Sequence, residues 1–288
     1  MVLQNSVRLY KFAKTPSLLA AYETANNPWG LCCLSTKCIA FPGRTTGHVQ
    51  LIEIPTGNVS IIPAHSSAIR AIQLSPDGEL VATASETVSR YFPRSLAMLI
   101  TIQGTLIRVF STSNCARVAE LRRGIDPATI FSLGFSPLGT MLACTSDKYT
   151  LHIFDVPHPK RPPREPPTPR RIDGAAAVPS GSGDGKGKWG ILGKIPMLPR
   201  MFSDVYSFTS AAFERGEELL LKGMPMTEST TLGTSKPAKG VIGWLDDSTV
   251  LVIGAGKDAR WEKFVIQEDE DGRRAVVREG WKRYLGST

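Results

Sequence analysis

The sequence has no run of about 18 apolar residues, the length a membrane-spanning helix needs. Its densest apolar stretch, Leu96-Ala-Met-Leu-Ile-Thr-Ile102, is far shorter. Cysteine is scarce: five residues, at 32, 33, 38, 115 and 144, odd in number and irregular in spacing. That excludes a disulfide framework. With no Cys-x-x-Cys and four scattered histidines it excludes a zinc site as well. The thiols read as reduced and packed in strands, with no metal and no cofactor implied. Catalytic signatures are missing too. There is no Gly-x-Ser-x-Gly nucleophile elbow, and no glycine lies five residues before a Gly-Lys pair to make a phosphate loop. These absences argue against an enzyme. The first residues, Met1-Val-Leu-Gln-Asn-Ser-Val-Arg-Leu9, read as strand rather than signal peptide, so the sequon Asn58-Val-Ser60 reads as chance.

What is present is a chain of 288 residues, 42% hydrophobic, enough for a packed core. Thirty-four basic and 26 acidic side chains leave a net charge of +8, which suits an anionic partner. Period-two alternation recurs in Ser6–Phe12, Gly47–Ile54, Ala68–Leu74 and Leu106–Phe110, which predicts antiparallel strands. Turn residues punctuate them. Ser75-Pro-Asp-Gly78 and Ser136-Pro-Leu-Gly139 are near-copies inside a longer repeat, Ala68–Ser85 against Thr129–Ser146. The copies continue to Gly104-Thr-Leu-Ile-Arg-Val-Phe110 and to Tyr149-Thr-Leu-His-Ile-Phe154. Strand, Ser-Pro turn, strand and Thr-initiated strand is the pattern of a propeller blade.

One insertion breaks the repeat. Val88–Gln103 has no turn chemistry and no counterpart in the second copy. It is 16 residues, or 48 nucleotides; Val-Ser is encodable by a splice-donor sequence and Gln by an acceptor. The stretch reads as a translated intron, with a genuine blade insertion as the alternative.

Residues 157–202 have a different composition. They hold ten of the 21 prolines and the flexible Ser180-Gly-Ser-Gly-Asp-Gly-Lys-Gly187. Nine basic and three acidic side chains give this stretch +6 of the +8. Its last part is apolar and basic: Trp189, Ile191, Leu192, Ile195, Met197, Leu198, Met201 and Phe202, interspersed with Lys188, Lys194 and Arg200. That composition suits insertion at a membrane interface, and the prolines argue against one long helix.

Between the two blade copies lies Glu120-Leu-Arg-Arg-Gly124. Adjacent residues of a strand face opposite ways, so Arg122 and Arg123 would serve opposite sides of a blade junction. A guanidinium donates two parallel hydrogen bonds to a phosphate. By themselves such pairs usually read as solvated surface.

With Leu121-Arg-Arg-Gly124 as the diagnostic motif, the chain resembles the PROPPIN family, the WIPI-type β-propellers that bind polyphosphoinositides. Ala82-Thr-Ala-Ser85, Gly104–Phe110, Thr150-Leu-His-Ile-Phe154, Asn27–Leu34 and Ala40–Gln50 carry the likeness over nearly the whole chain except 88–103. The leucine form of the motif resembles the SVP1-like branch. The resemblance implies an all-β, seven-bladed WD40-like propeller, here one partial domain over 1–288. By that resemblance it would be N-terminally truncated, beginning inside the third blade, with about four and a half blades present. It also implies two headgroup sites. Arg122 would serve the first with His65, Ser85, Thr105 and Arg108. Arg123 would serve the second with Ser146, Thr150 and His152. Residues 157–202 stand where the family inserts a loop into the bilayer. The insertion 88–103 falls between Ser85 and Thr105, so the second site is the sounder expectation.

The implied function is a non-catalytic membrane adaptor. It would bind phosphatidylinositol 3-phosphate and phosphatidylinositol 3,5-bisphosphate and recruit autophagy-type protein partners. It would be cytoplasmic and peripheral on vacuolar, endosomal or pre-autophagosomal membranes. A WD-type protein scaffold without lipid binding is the alternative, weakened by the absence of any Trp-Asp dipeptide. Basic charge alone also fits a nucleic-acid binder, which the arginine motif disfavours.

Overall fold

The computed structural model describes residues 1–85, 105–124, 126, 128–161, 205–214, 240–254, 259–270 and 272–284. The insertion 88–103, and the residues expected to insert into a membrane, Trp189, Ile191, Leu192, Ile195, Met197 and Leu198, lie outside them. The described residues fold into strands. β1 (Ser6–Lys11) and β2 (Ser17–Glu23) form a hairpin. β3 (Cys33–Leu34), β4 (Cys38–Pro42), β5 (His48–Glu53) and β6 (Val59–Pro63) form a four-stranded antiparallel meander. The same meander recurs in β7 (Ile69–Leu74), β8 (Leu80–Ser85), β9 (Leu106–Ser111) and β10 (Arg117–Arg122). A third blade comprises β11 (Ile130–Phe135), β12 (Met141–Ser146) and β13 (Thr150–Asp155), completed by β15 (Thr209–Ala212). A fourth runs through β16 (Val241–Asp246), β17 (Thr249–Ile253), β18 (Arg260–Glu268) and β19 (Arg274–Arg283). The described residues thus make four meanders and a hairpin.

The repeat read from the sequence is reproduced bond for bond. In the first Ser-Pro turn the Ser75 amide donates to Leu80 and the Gly78 amide to Ser75, both at 2.9 Å. In the second the Ser136 amide donates to Met141 at 2.9 Å and the Gly139 amide to Ser136 at 2.8 Å. Gly78 and Gly139 sit at φ 72° and 70°, a backbone region that costs a glycine nothing. The insertion does not break its blade: β8 and β9 pair in register from Leu80↔Ser111 to Ala84↔Ile107.

Blades pack face to face. β8 and β12 are apolar and buried along almost their whole length, because each has a neighbouring blade on both sides. One core layer joins Leu80, Ala82, Ile107 and Leu121 to Ile130, Leu142, Cys144 and Phe154 across the junction that carries the arginine pair. Leu121 has no exposed surface. Truncating such a side chain costs about 2–5 kcal/mol, so the backbone presenting the arginines is firmly seated. The first strands β3, β7, β11 and β16 approach one another near the axis. A cavity of about 540 Å³ lies there, lined by Gln73, Leu74, Ser132, Phe135, Ile242 and Trp244.

The long connection after β13 is anchored at both described ends. At its start, His158 Nε2 lies 2.9 Å from Asp77 Oδ2, and Lys160 Nζ donates to Glu79 at 2.6 Å, both on the Ser-Pro turn region of the preceding blade. At its return, β14 (Val205–Tyr206) lies alongside β10, Leu121↔Val205 and Arg122↔Tyr206. That pairing is parallel, whereas the four segments whose alternation predicts antiparallel strands, now β1, β5, β7 and β9, all pair antiparallel. The chain then crosses the junction and β15 joins β13.

Candidate functional site

The burial of β10 alternates, and the alternation sorts the motif. Ala119 and Leu121 are buried toward the next blade, and Arg123, one residue past the strand, is buried too at 7% exposure. Glu120 and Arg122 fall on the other parity and are half-buried. The two arginines therefore serve opposite sides, as strand geometry requires.

On the Arg123 side, its Nη2 donates to Thr150 Oγ1 at 2.7 Å. Ser146 Oγ lies 3.4 Å from the same hydroxyl. His152, two residues along β13, shares the face of Thr150. The reversal Ser146–Tyr149 places Thr150. Tyr149 holds a φ of 55°, its ring packed against Phe131 and Phe213 with centroids 6.3 and 5.8 Å away. Such a conformation persists in a non-glycine residue only where packing over-determines it. No described carboxylate pairs with Arg123, and its Nε is buried without a hydrogen-bond partner among the described residues. Burial, and then the Arg123 charge, push His152 down to a pKa of about 4. The site is a buried cation with hydroxyls and a neutral imidazole around it, an arrangement complementary to an oxyanion.

The first site is organised differently. Arg108 Nε donates to Glu120 Oε2 at 2.9 Å and Nη1 to the Ala64 carbonyl at 2.7 Å. Arg117 Nη1 reaches the same Glu120 oxygen at 2.9 Å. Two residues expected to hold the first headgroup are committed to the scaffold instead. Thr105 is 2% exposed; its hydroxyl donates to the Ala128 carbonyl and accepts from the Ala128 amide, both at 2.8 Å. It clamps the loop after the arginine motif, and a buried hydroxyl that has already given its one proton has no donor left for a phosphate. His65 is 8% exposed, with Nε2 2.9 Å from Thr83 Oγ1. Thr83 gives its own proton to the Arg108 carbonyl at 3.3 Å, so His65 Nε2 is the donor of the pair. Burial, and then Arg108, lower the His65 pKa to about 4. A neutral His65 with its N–H directed inward donates nothing outward. Gly47 explains its placement. It has φ 82°, its carbonyl accepts the His65 amide at 2.9 Å, and a Cβ there would meet the His65 carbonyl oxygen at 2.0 Å. Ser85 ends β8 and is half-buried.

Sequence reasoning placed Arg123, Ser146, Thr150 and His152 together, and the structure brings them together. It missed Thr83, Glu120 and Ser207. Thr83 was legible, since it is two residues before Ser85 on one strand and shares its face. Glu120 stands directly opposite Arg108 only once the register of β9 and β10 is known. Ser207 Oγ lies 3.0 Å from His152 Nδ1 across 55 residues of sequence, and no local signal announces it.

Known proteins share this architecture. The Hsv2 structure from Kluyveromyces lactis superimposes with a TM-score of 0.63 at 18% identity, a likeness of fold. It covers 98% of this chain, which in turn spans 69% of that one. The SVP1-like protein 2 of Emericella nidulans is 53% identical over 287 residues, all of this chain and 82% of that protein. Autophagy-related protein 18 of Dictyostelium discoideum is 35% identical over 161 residues, 54% of this chain and 39% of that protein. The PROPPIN family profile matches residues 1–174, through the blade junction and the arginine motif. A match over more than half of its length, together with a full-length relative at such identity, means that this chain belongs to the PROPPIN family.

Proposed function

We propose that the chain is a phosphoinositide-binding membrane adaptor without catalysis, recruited to membranes that carry phosphatidylinositol 3-phosphate or phosphatidylinositol 3,5-bisphosphate. The observation that carries this reading is Arg123: a buried guanidinium with no described carboxylate, ringed by Thr150, Ser146 and His152. A phosphate supplies the missing charge, the hydroxyls complete its hydrogen bonds, and the headgroup is held at the second site. The first site is smaller than the family pattern implies. Arg122, Arg108 and Ser85 remain to it, while Thr105 and His65 hold the blade together.

The apolar-basic residues 188–202 then enter the interface, led by Trp189, Ile191, Leu192, Ile195, Met197 and Leu198. Combining headgroup recognition with insertion gives the two signals that stable peripheral attachment takes. The setting is autophagy and vacuolar or endosomal traffic. The chain is cytoplasmic and peripheral on those or pre-autophagosomal membranes, with autophagy-type proteins as its partners.

Liposome flotation tests the reading. The chain should float with vesicles containing phosphatidylinositol 3-phosphate and lose that binding in the Arg122→Thr/Arg123→Thr double variant. Equal flotation of the two proteins rejects headgroup recognition at this junction. Trp189→Asp with Leu192→Asp should weaken vesicle binding while leaving soluble inositol 1,3-bisphosphate binding unchanged.

A further inference from the structure

The return of the long connection is built into the second site. β14 pairs with Leu121 and Arg122, the Phe208 amide donates to the Ile153 carbonyl at 3.1 Å, and β15 lines up on β13 through His152↔Ser210. Ser207 sits at the crossing, between the strand that carries the arginines and the strand that carries Thr150 and His152. Its Oγ lies 3.0 Å from His152 Nδ1. The other ring nitrogen, Nε2, has no partner among the described residues.

We propose that Ser207 is a positioning residue of the second anion site, donating its hydroxyl proton to His152 Nδ1 and thereby fixing the Nε2–H tautomer, whose free N–H serves a phosphate held by Arg123. This inference rests on the reading of that site as a headgroup site.

The physical reason is the hydrogen-bond capacity of a neutral imidazole. It carries one N–H and one acceptor, and the partner of one nitrogen decides where the proton sits. A hydroxyl donating to Nδ1 puts the proton on Nε2, where it is available to an oxyanion. Without Ser207 the two tautomers exchange, and part of the population turns a lone pair toward the phosphate. Ser207 belongs to the connection that precedes β15, so the geometry of that connection and the donor state of the site are joined through one side chain.

The test uses the full chain with ¹⁵N-labelled histidine and soluble inositol 1,3-bisphosphate as the probe. In the unliganded protein at neutral pH, His152 should show the Nε2–H pattern of imidazole nitrogen shifts. Ser207→Ala should bring the two nitrogen shifts together and weaken the probe by about two- to tenfold, the range of one neutral hydrogen bond. Ser207→Thr, which keeps the hydroxyl, should restore both. A Nδ1–H tautomer in the unchanged protein overturns the inference, as does an unaltered tautomer or unaltered probe affinity in Ser207→Ala. Arg123→Ala distinguishes the two levels. If it binds the probe as well as the unchanged protein, the headgroup reading fails, while the nitrogen shifts still report on Ser207 by themselves.

Discussion

Arg108 and Arg123 flank the same outer strand, yet one is neutralised and the other is not. Arg108 faces Glu120 directly across the β9–β10 ladder and also holds a backbone carbonyl. Arg123 is buried, donates to the Thr150 hydroxyl and has no carboxylate partner among the described residues. A buried charge without a counter-ion is costly, and a protein that keeps one has left part of its electrostatics to be completed by something else. On the proposed reading the neutralised arginine holds structure, and the one with no carboxylate among the described residues is the one that takes an anion. The histidines follow the same division: His65 directs its donor inward to Thr83, while one nitrogen of His152 has no partner among the described residues.

The strongest way to break this comparison is to remove each cation in turn. Arg123→Ala should weaken binding to vesicles containing phosphatidylinositol 3-phosphate by about ten- to hundredfold, the scale of lost charge-assisted hydrogen bonds. Arg108→Ala should cost several-fold less in the same co-sedimentation titration. Equal losses would remove the distinction between the two sides.

Thr105→Val probes the scaffold side. It strips both partners from the buried Ala128 amide and carbonyl, so urea unfolding should show a loss of about 1–3 kcal/mol. Inositol 1,3-bisphosphate affinity measured on the folded protein should stay as it was. A selective loss of affinity with unchanged stability would return Thr105 to the headgroup site.

Glu120→Gln should sharpen the contrast from the other direction. Releasing Arg108 from its carboxylate makes the first site more attractive to phosphate, by roughly 0.5–1 kcal/mol for a half-exposed pair. In an Arg123→Ala background, where the first site is read alone, vesicle affinity should rise a few-fold.

The smallest effect is that of pH. His65 and His152 sit near pKa 4 in the folded chain, against an ordinary value of 6.5. Between those values the unfolded chain binds more protons, so their share of stability is complete above about pH 6.5 and falls as pH drops toward 4. Melting temperature should decline across that window, less so in His65→Gln. A bound phosphate favours the protonated imidazole, so headgroup affinity should move the opposite way and rise as the solution is acidified. His152→Gln should remove most of that rise if the second site is the responsive one.

Much of the fold was legible because its signals are local. Period-two alternation marked β1, β5, β7 and β9, and the paired Ser-Pro turns marked two equivalent blades. Alternation along one strand also sufficed to set Arg122 and Arg123 on opposite sides and to place Thr150 beside His152. What was not legible depended on register between strands. Glu120 lies 12 residues from Arg108, Ala128 lies 23 from Thr105, and Ser207 lies 55 from His152. The resemblance assigned Thr105 and His65 to a ligand because it carries residue types. It does not say which of their hydrogen bonds the blade has already taken.

The sequence by itself thus determined the blade repeat, the arginine junction and the concentration of positive charge in 157–202. Each follows from side-chain alternation, turn chemistry or composition within a few residues. Only the tertiary structure decided which arginine keeps its charge uncompensated and where the connection returns beside β10. Neutralisation and donor direction are set by atoms brought together across blades, and chain-distant neighbours leave no periodic trace.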